Sequence, residues 1–121
     1  MTDSKRLLIV DDEEMIRETL SDYMTDMGFV TRTASSGEEA LVILESESFT
    51  HATVDMRLGG MSGFDFIAKA HRIRDGIKFL IFTGACDFTI PDELLAIGIT
   101  ENQVYRKPVR LTEIYHALIE L

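Results

Sequence analysis

Leu7-Leu8-Ile9-Val10-Asp11-Asp12-Glu13-Glu14 places four apolar residues directly before four acids. A short apolar run bounded in this way reads as a buried strand. Four neighbouring carboxylates repel one another unless they spread over a solvated face or share a cation. Which of these applies depends on what the rest of the chain brings to the end of that strand.

Outward from residues 7–10, strand and helix patterns alternate. After Glu13, the residues Met15, Ile16, Thr19, Leu20, Tyr23, Met24 and Met27 recur at helical spacing, and Gly28 supplies a stop. That spacing assigns the methionines to the core rather than to a partner groove. Residues 29–33 alternate as a second strand. Ser35-Ser36-Gly37-Glu38-Glu39 holds two overlapping capping boxes, Ser35 with Glu38 and Ser36 with Glu39, opening a second helix. Residues 51–54 lead into Asp55 as a third strand. The loop 59–63 follows, then a helix marked by Phe64, Ile67, Ala68 and Ile73. Residues 77–82 read as a strand covered on both faces. A short helix runs from Pro91 to about Ile97 and is closed by Gly98. Residues 103–106 form a fifth strand and residues 111–121 the last helix. Five alternations predict an α/β fold, a doubly wound parallel sheet joined by right-handed crossovers.

Such sheets bind ligands at the carboxyl ends of their strands. Asp11 and Asp12 follow the first strand, Asp55 the third, Thr83 the fourth and Lys107 the fifth. Each alone has an ordinary explanation as a cap or a solvated side chain; their arrival at one edge does not. Hard oxygen donors suit Mg²⁺, which accepts one or two carboxylates and shares phosphate oxygens. A carboxylate is also a nucleophile able to form an acyl phosphate, and phosphoryl transfer needs charge neutralisation and in-line positioning above all. Asp55, alone at the central strand, is the better nucleophile. The adjacent Asp11 and Asp12 make the better metal cradle. Thr83 is placed to donate a hydrogen bond to a phosphoryl oxygen, and Lys107 to neutralise one.

Composition removes competing classes. The chain has 121 residues, 45% hydrophobic and 27% charged, as expected for one globular domain. A net charge of -9 argues against nucleic-acid binding, which needs clustered cations. No apolar run is long enough for a membrane span, and the N-terminus lacks the pattern of a signal peptide. The single cysteine, Cys86, makes no internal disulfide and fits a reducing cytoplasm; without a visible activating partner it reads as inert. His51, His71 and His116 lack metal-ligand spacing and read as surface residues.

Val10-Asp11-Asp12-Glu13, Val54-Asp55-Met56, Gly63, Thr83-Gly84 and Lys107-Pro108 together resemble the receiver domain of two-component response regulators, and the resemblance covers essentially the whole chain. It implies a flavodoxin-like (βα)5 fold with strand order 2-1-3-4-5, read as a single receiver domain over residues 1–121 with no output domain. It also implies that Asp55 accepts a phosphoryl group from a histidine kinase or a histidine phosphotransfer protein. The implied metal, Mg²⁺ or Mn²⁺, is held by Asp12 directly, Asp11 through water, Asp55, and the Arg57 backbone carbonyl. Thr83 turns toward the phosphoryl group, Lys107 pairs with it, and the Lys107–Pro108 bond is cis. The implied output is a protein contact through the fourth helix, fifth strand and fifth helix, by a monomer or a phosphorylation-dependent dimer, with no membrane or nucleic acid involved.

This sequence departs from that pattern in two places. Gly59 stands where the family usually has proline, so the loop gains freedom. Val104 stands at the usual aromatic switch position. Tyr105 is adjacent, but neighbouring strand residues face opposite sides, so Tyr105 replaces the missing ring only if the strand bulges. Arg57 and Ala85 flank the expected path of hydrolytic water and are expected to tune the acyl-phosphate lifetime. Two other readings compete with a phosphorylation switch. One is a phosphorylation-independent interaction domain. The other is a phosphohydrolase of the haloacid dehalogenase type, whose Asp-x-Asp motif the adjacent Asp11-Asp12 lacks.

Overall fold

The computed structural model describes residues 5–85 and 88–121; Cys86 lies outside them. Strands β1 (Arg6–Val10), β2 (Val30–Ala34), β3 (His51–Asp55), β4 (Lys78–Thr83) and β5 (Val104–Arg106) alternate with helices α1 (Glu14–Asp26), α2 (Gly37–Ser46), α3 (Gly63–Ile73), α4 (Asp92–Ala96) and α5 (Leu111–Glu120). The strands form one parallel sheet in the order β2-β1-β3-β4-β5. The doubly wound parallel sheet is what the alternation predicts, and the strand order is the one the resemblance implies.

Period-two alternation sends successive strand residues to opposite faces. Leu8, Val10, Ala52, Val54, Phe79 and Ile81 therefore point toward α2, α3 and α4, where they meet Leu44, Phe66, Ile67 and Leu94. Leu7, Ile9, Leu80 and Phe82 point the other way and pack on Leu20 and Met24 of α1 and on Ile114 and Leu118 of α5. The central β3 is buried along its length, whereas β2 at the sheet edge buries only Ala34.

The helix starts reveal which local signals won. Ser36 is the N-cap of α2 and accepts the Glu39 N–H at 3.1 Å. Glu39 reaches back to the Ser35 N–H at 2.6 Å. Of the two overlapping boxes only the Ser36–Glu39 pairing caps the helix. Glu38 turns away to accept the Met61 N–H at 3.3 Å, which ties α2 to the loop after β3. Ser62 caps α3 by accepting the Asp65 N–H.

Two expectations about burial are overturned. Of the methionines in α1 and at its C-cap only Met24 is core: Met15 is 79% exposed and Met27 40%, and Ile16 is also exposed. Helical spacing marks one face, but that face is wider than the strip of α1 the sheet covers. His51, read as surface, is buried at the start of β3. Its Nδ1 lies 2.8 Å from Thr50 Oγ1, and its ring meets Phe29 edge to face. Burial pushes its pKa below the ordinary 6.5, with Lys78 and Lys5 adding in the same direction against the Leu118 carbonyl. His116 is exposed and His71 half-buried.

Candidate phosphoacceptor and cation site

The carboxyl ends of β1, β3, β4 and β5 meet at one edge. Asp11 continues directly from β1, where its N–H donates to Ala34 O, and its side chain is buried. Asp12 beside it is exposed. Asp55 is the last residue of β3 and is buried, as is Thr83, the last of β4. Carboxylate oxygens of Asp11, Asp12 and Asp55 all lie within 4.8 Å of one another. Lys107, just past β5, donates from Nζ to Asp55 Oδ2 at 2.9 Å. Its position is fixed through the main chain, because its N–H donates to Thr83 O at 2.8 Å. The following Lys107–Pro108 peptide is cis.

Backbone groups complete the cluster. The Arg57 N–H donates to Asp55 Oδ1 at 3.1 Å, so each Asp55 oxygen has one donor. The Glu13 N–H donates to Asp11 Oδ1 at 2.9 Å, and the Ala85 N–H to Thr83 Oγ1 at 3.1 Å. The Arg57 side chain and Ala85 are exposed at the rim. The third carboxylate thus arrives in a pocket already holding negative charge. Burial pushes the Asp11 carboxyl above its ordinary 3.8; the charges of Asp55 and Asp12 push it the same way, against the Glu13 N–H and Lys107. Lys107 shows the converse. Burial works to lower its pKa, but the hydrogen bond and charge of Asp55, with Asp11 and Glu13 behind, hold it above 10.5. One ammonium facing three carboxylates leaves net negative charge, and hard oxygen donors at this spacing suit a small divalent cation.

Gly63 sets the height of this edge. A Cβ there would stand 2.9 Å from the Asp55 carbonyl oxygen and 3.0 Å from Met56 Cα, so only glycine lets α3 start against the end of β3. Spacing alone did not mark two further contributors. Arg17 Nη1 donates to the Asp11 main-chain carbonyl at 2.8 Å, bracing the acidic loop from α1. Beside the carboxylates an open apolar groove of about 710 Å³ runs between α1 and the segment after β5, lined by Met15, Ile16, Lys107, Pro108 and Val109 among others. An exposed methionine beside an acid cluster is the signal that could have found it, but burial is not readable from one helix.

On the β5 side the register is unbroken: Ile81 pairs with Val104, Phe82 with Tyr105 and Thr83 with Arg106. No bulge intervenes. Val104 is buried in the cluster under α3 and α4, whereas Tyr105 packs with the cluster under α1 and α5. Tyr105 therefore does not take the place of the aromatic that Val104 lacks.

Residues 7–119 match the response regulator receiver domain. The chain belongs to that family. Over 115 residues the receiver is 30% identical to the photosynthetic apparatus regulatory protein RegA of Cereibacter sphaeroides, covering 95% of this chain and 61% of that protein. It thus spans less than two thirds of that relative. A receiver domain protein from Methanospirillum hungatei superposes with a TM-score of 0.85 at 28% identity, covering 98% of this chain and 93% of that one. A response regulator from Burkholderia pseudomallei, solved with a phosphorylated aspartic acid, a calcium ion and citrate, gives 0.82 at 29% identity, over 94% and 66% of the two chains. The receiver is accordingly a two-component signalling module, and among its described residues no helix is long and apolar enough to cross a membrane.

Proposed function

We propose that Asp55 is the phosphoacceptor of a divalent-cation-dependent switch, loaded from the phosphohistidine of a sensor kinase or a histidine phosphotransfer protein. The observation that carries this is the convergence of three carboxylates, with Lys107 bonded to Asp55. A carboxylate oxygen of Asp55 attacks phosphorus, the N–P bond of the donor breaks, and its electron pair returns to the imidazole. Lys107 turns from the free carboxylate to the incoming phosphoryl oxygens, and the Thr83 hydroxyl donates to one of them. Asp11, Asp12, Asp55 and the Arg57 carbonyl would hold Mg²⁺ or Mn²⁺, whose positive charge offsets that of the phosphoryl oxygens. Water attacking phosphorus later releases phosphate and restores the carboxylate. The Arg57 side chain and Ala85, at the rim, tune that step.

The apolar groove formed by Met15, Ile16, Pro108 and Val109 supports docking of the donor protein beside Asp55. The receiver catalyses only its own loading and unloading, and acts in the cytoplasm through α4, β5 and α5 on a protein target. Intact-mass measurement after incubation with Mg²⁺ and acetyl phosphate tests the reading. One added phosphoryl group, absent in Asp55→Asn, is expected. Absence of an adduct from any donor overturns it in favour of a phosphorylation-independent interaction domain, and turnover of phosphate esters overturns it in favour of a phosphohydrolase.

A further inference from the structure

The receiver has no aromatic ring at Val104 and has Tyr105 on the other face, yet an aromatic pair joins α3 to the segment before α4. Phe64, the second residue of α3, stacks on Phe88, in the segment between β4 and α4, with ring centroids 5.4 Å apart and planes 20° apart. Both rings are half-buried and pack on the cluster that contains Val104. Each ring is tied to the site by a separate route. Phe64 follows Gly63, whose backbone lies against the Asp55 carbonyl and Met56. Phe88 lies three residues beyond Ala85, whose N–H is held by the Thr83 hydroxyl. That same hydroxyl is the one placed to bond a phosphoryl group on Asp55, so turning it releases the Ala85 N–H. From β5, Arg106, in register with Thr83, brings Nη2 to 3.5 Å from the Phe88 carbonyl oxygen.

We propose that the Phe64–Phe88 stack is the aromatic element through which phosphorylation of Asp55 is read at the surface of this receiver, in place of a ring at position 104. The stack joins the two segments that leave Asp55 and Thr83, so any relative movement of those segments must shear or open it. Stacked rings are sensitive to such movement because their attraction depends on offset and separation. Val104 is buried and presents no ring to the surface.

This inference rests on Asp55 being the phosphoacceptor, and its test separates the two. The chain contains no tryptophan and three tyrosines, so Phe88→Trp and Tyr105→Trp each supply a single tryptophan that can be excited selectively. Emission is read with Mg²⁺ alone, then with Mg²⁺ plus beryllofluoride, and phosphoryl loading from acetyl phosphate is followed by intact mass in parallel. The expected result is a saturable shift of the Phe88→Trp emission, lost when Asp55→Asn is added, with Tyr105→Trp unchanged. Phe64→Leu is expected to suppress the Phe88→Trp response while the mass adduct still forms. In the unsubstituted protein, aromatic ring resonances of Phe64 and Phe88 should shift on beryllofluoride addition more than those of Tyr105, which covers the case of a variant that folds poorly. A normal adduct with silent Phe88 probes, or a response confined to Tyr105, overturns the inference and leaves the phosphoacceptor assignment standing. Failure to form any adduct in the unsubstituted protein overturns both.

Discussion

Asp11 shows how a single residue carries a cost that a ligand removes. Its folded-state pKa is raised, so the associated stability is present at low pH and is lost as pH rises through the folded value. At pH 7 its charge opposes folding. Asp11→Asn, which keeps an oxygen for the Glu13 N–H, should stabilise the metal-free protein at pH 7, because it removes a buried charge that Asp55 and Asp12 oppose. In excess Mg²⁺ the order should reverse, because the variant loses a ligand. Urea unfolding with and without Mg²⁺ checks both signs. Gly63 is the opposite kind of residue, defined by what cannot be added. Gly63→Ala drives a Cβ against backbone that cannot yield locally and should cost about 1–3 kcal/mol. It should also slow phosphoryl loading, because the strand end bearing Asp55 must shift. Loss of stability with unaltered loading would refute the claim that this contact positions Asp55.

At the scale of elements, caps and loops divide the same residue types between different tasks. Ser36 is a true N-cap, so Ser36→Ala should lower stability by about 1 kcal/mol. Ser35→Ala should cost less, because the Ser35 N–H that Glu39 accepts is backbone and survives the change. Thermal melting of the two variants tests this difference. Helix α1 divides by face. Met24 is buried under the sheet while Met15 stands in solvent beside the acidic pocket. Strand β5 divides likewise, Val104 facing α3 and α4 and Tyr105 facing α1 and α5. In both elements the periodicity is local, but the width of the covered strip is set by the neighbour across the interface.

For the whole molecule, the two ends of the sheet titrate in opposite senses. His51, with its pKa lowered, sits at the amino end of β3, and Asp11, with its pKa raised, follows the carboxyl end of β1. The folded-state pKa of His51 is depressed below 6.5, so the unfolded chain binds a proton more readily. Its contribution is therefore present above pH 6.5 and is lost as pH falls toward the folded value. His51→Gln should flatten the fall in urea midpoint below pH 6.5 without altering phosphoryl loading at pH 7, because among the described residues no hydrogen bond or ion pair joins His51 to Asp55. A flattened profile accompanied by lost loading would show that the ends are coupled.

The alternation of strands and helices, the helix stops and the identity of the edge residues Asp11, Asp12, Asp55, Thr83 and Lys107 were legible in the sequence. Periodicity, turn chemistry and the rule that parallel sheets expose their carboxyl ends are local or topological, and they survive without coordinates. The loss of the aromatic at Val104 was legible only against the pattern of the family that the sequence resembles. The remainder belongs to tertiary structure. His51 looks like a surface residue until Phe29 closes over it, Met15 looks like core until the sheet proves too narrow to cover it, and Phe88 looks like a loop residue until α3 brings Phe64 beneath it. Burial and contact belong to pairs of elements distant in the chain, and only their packing decides them.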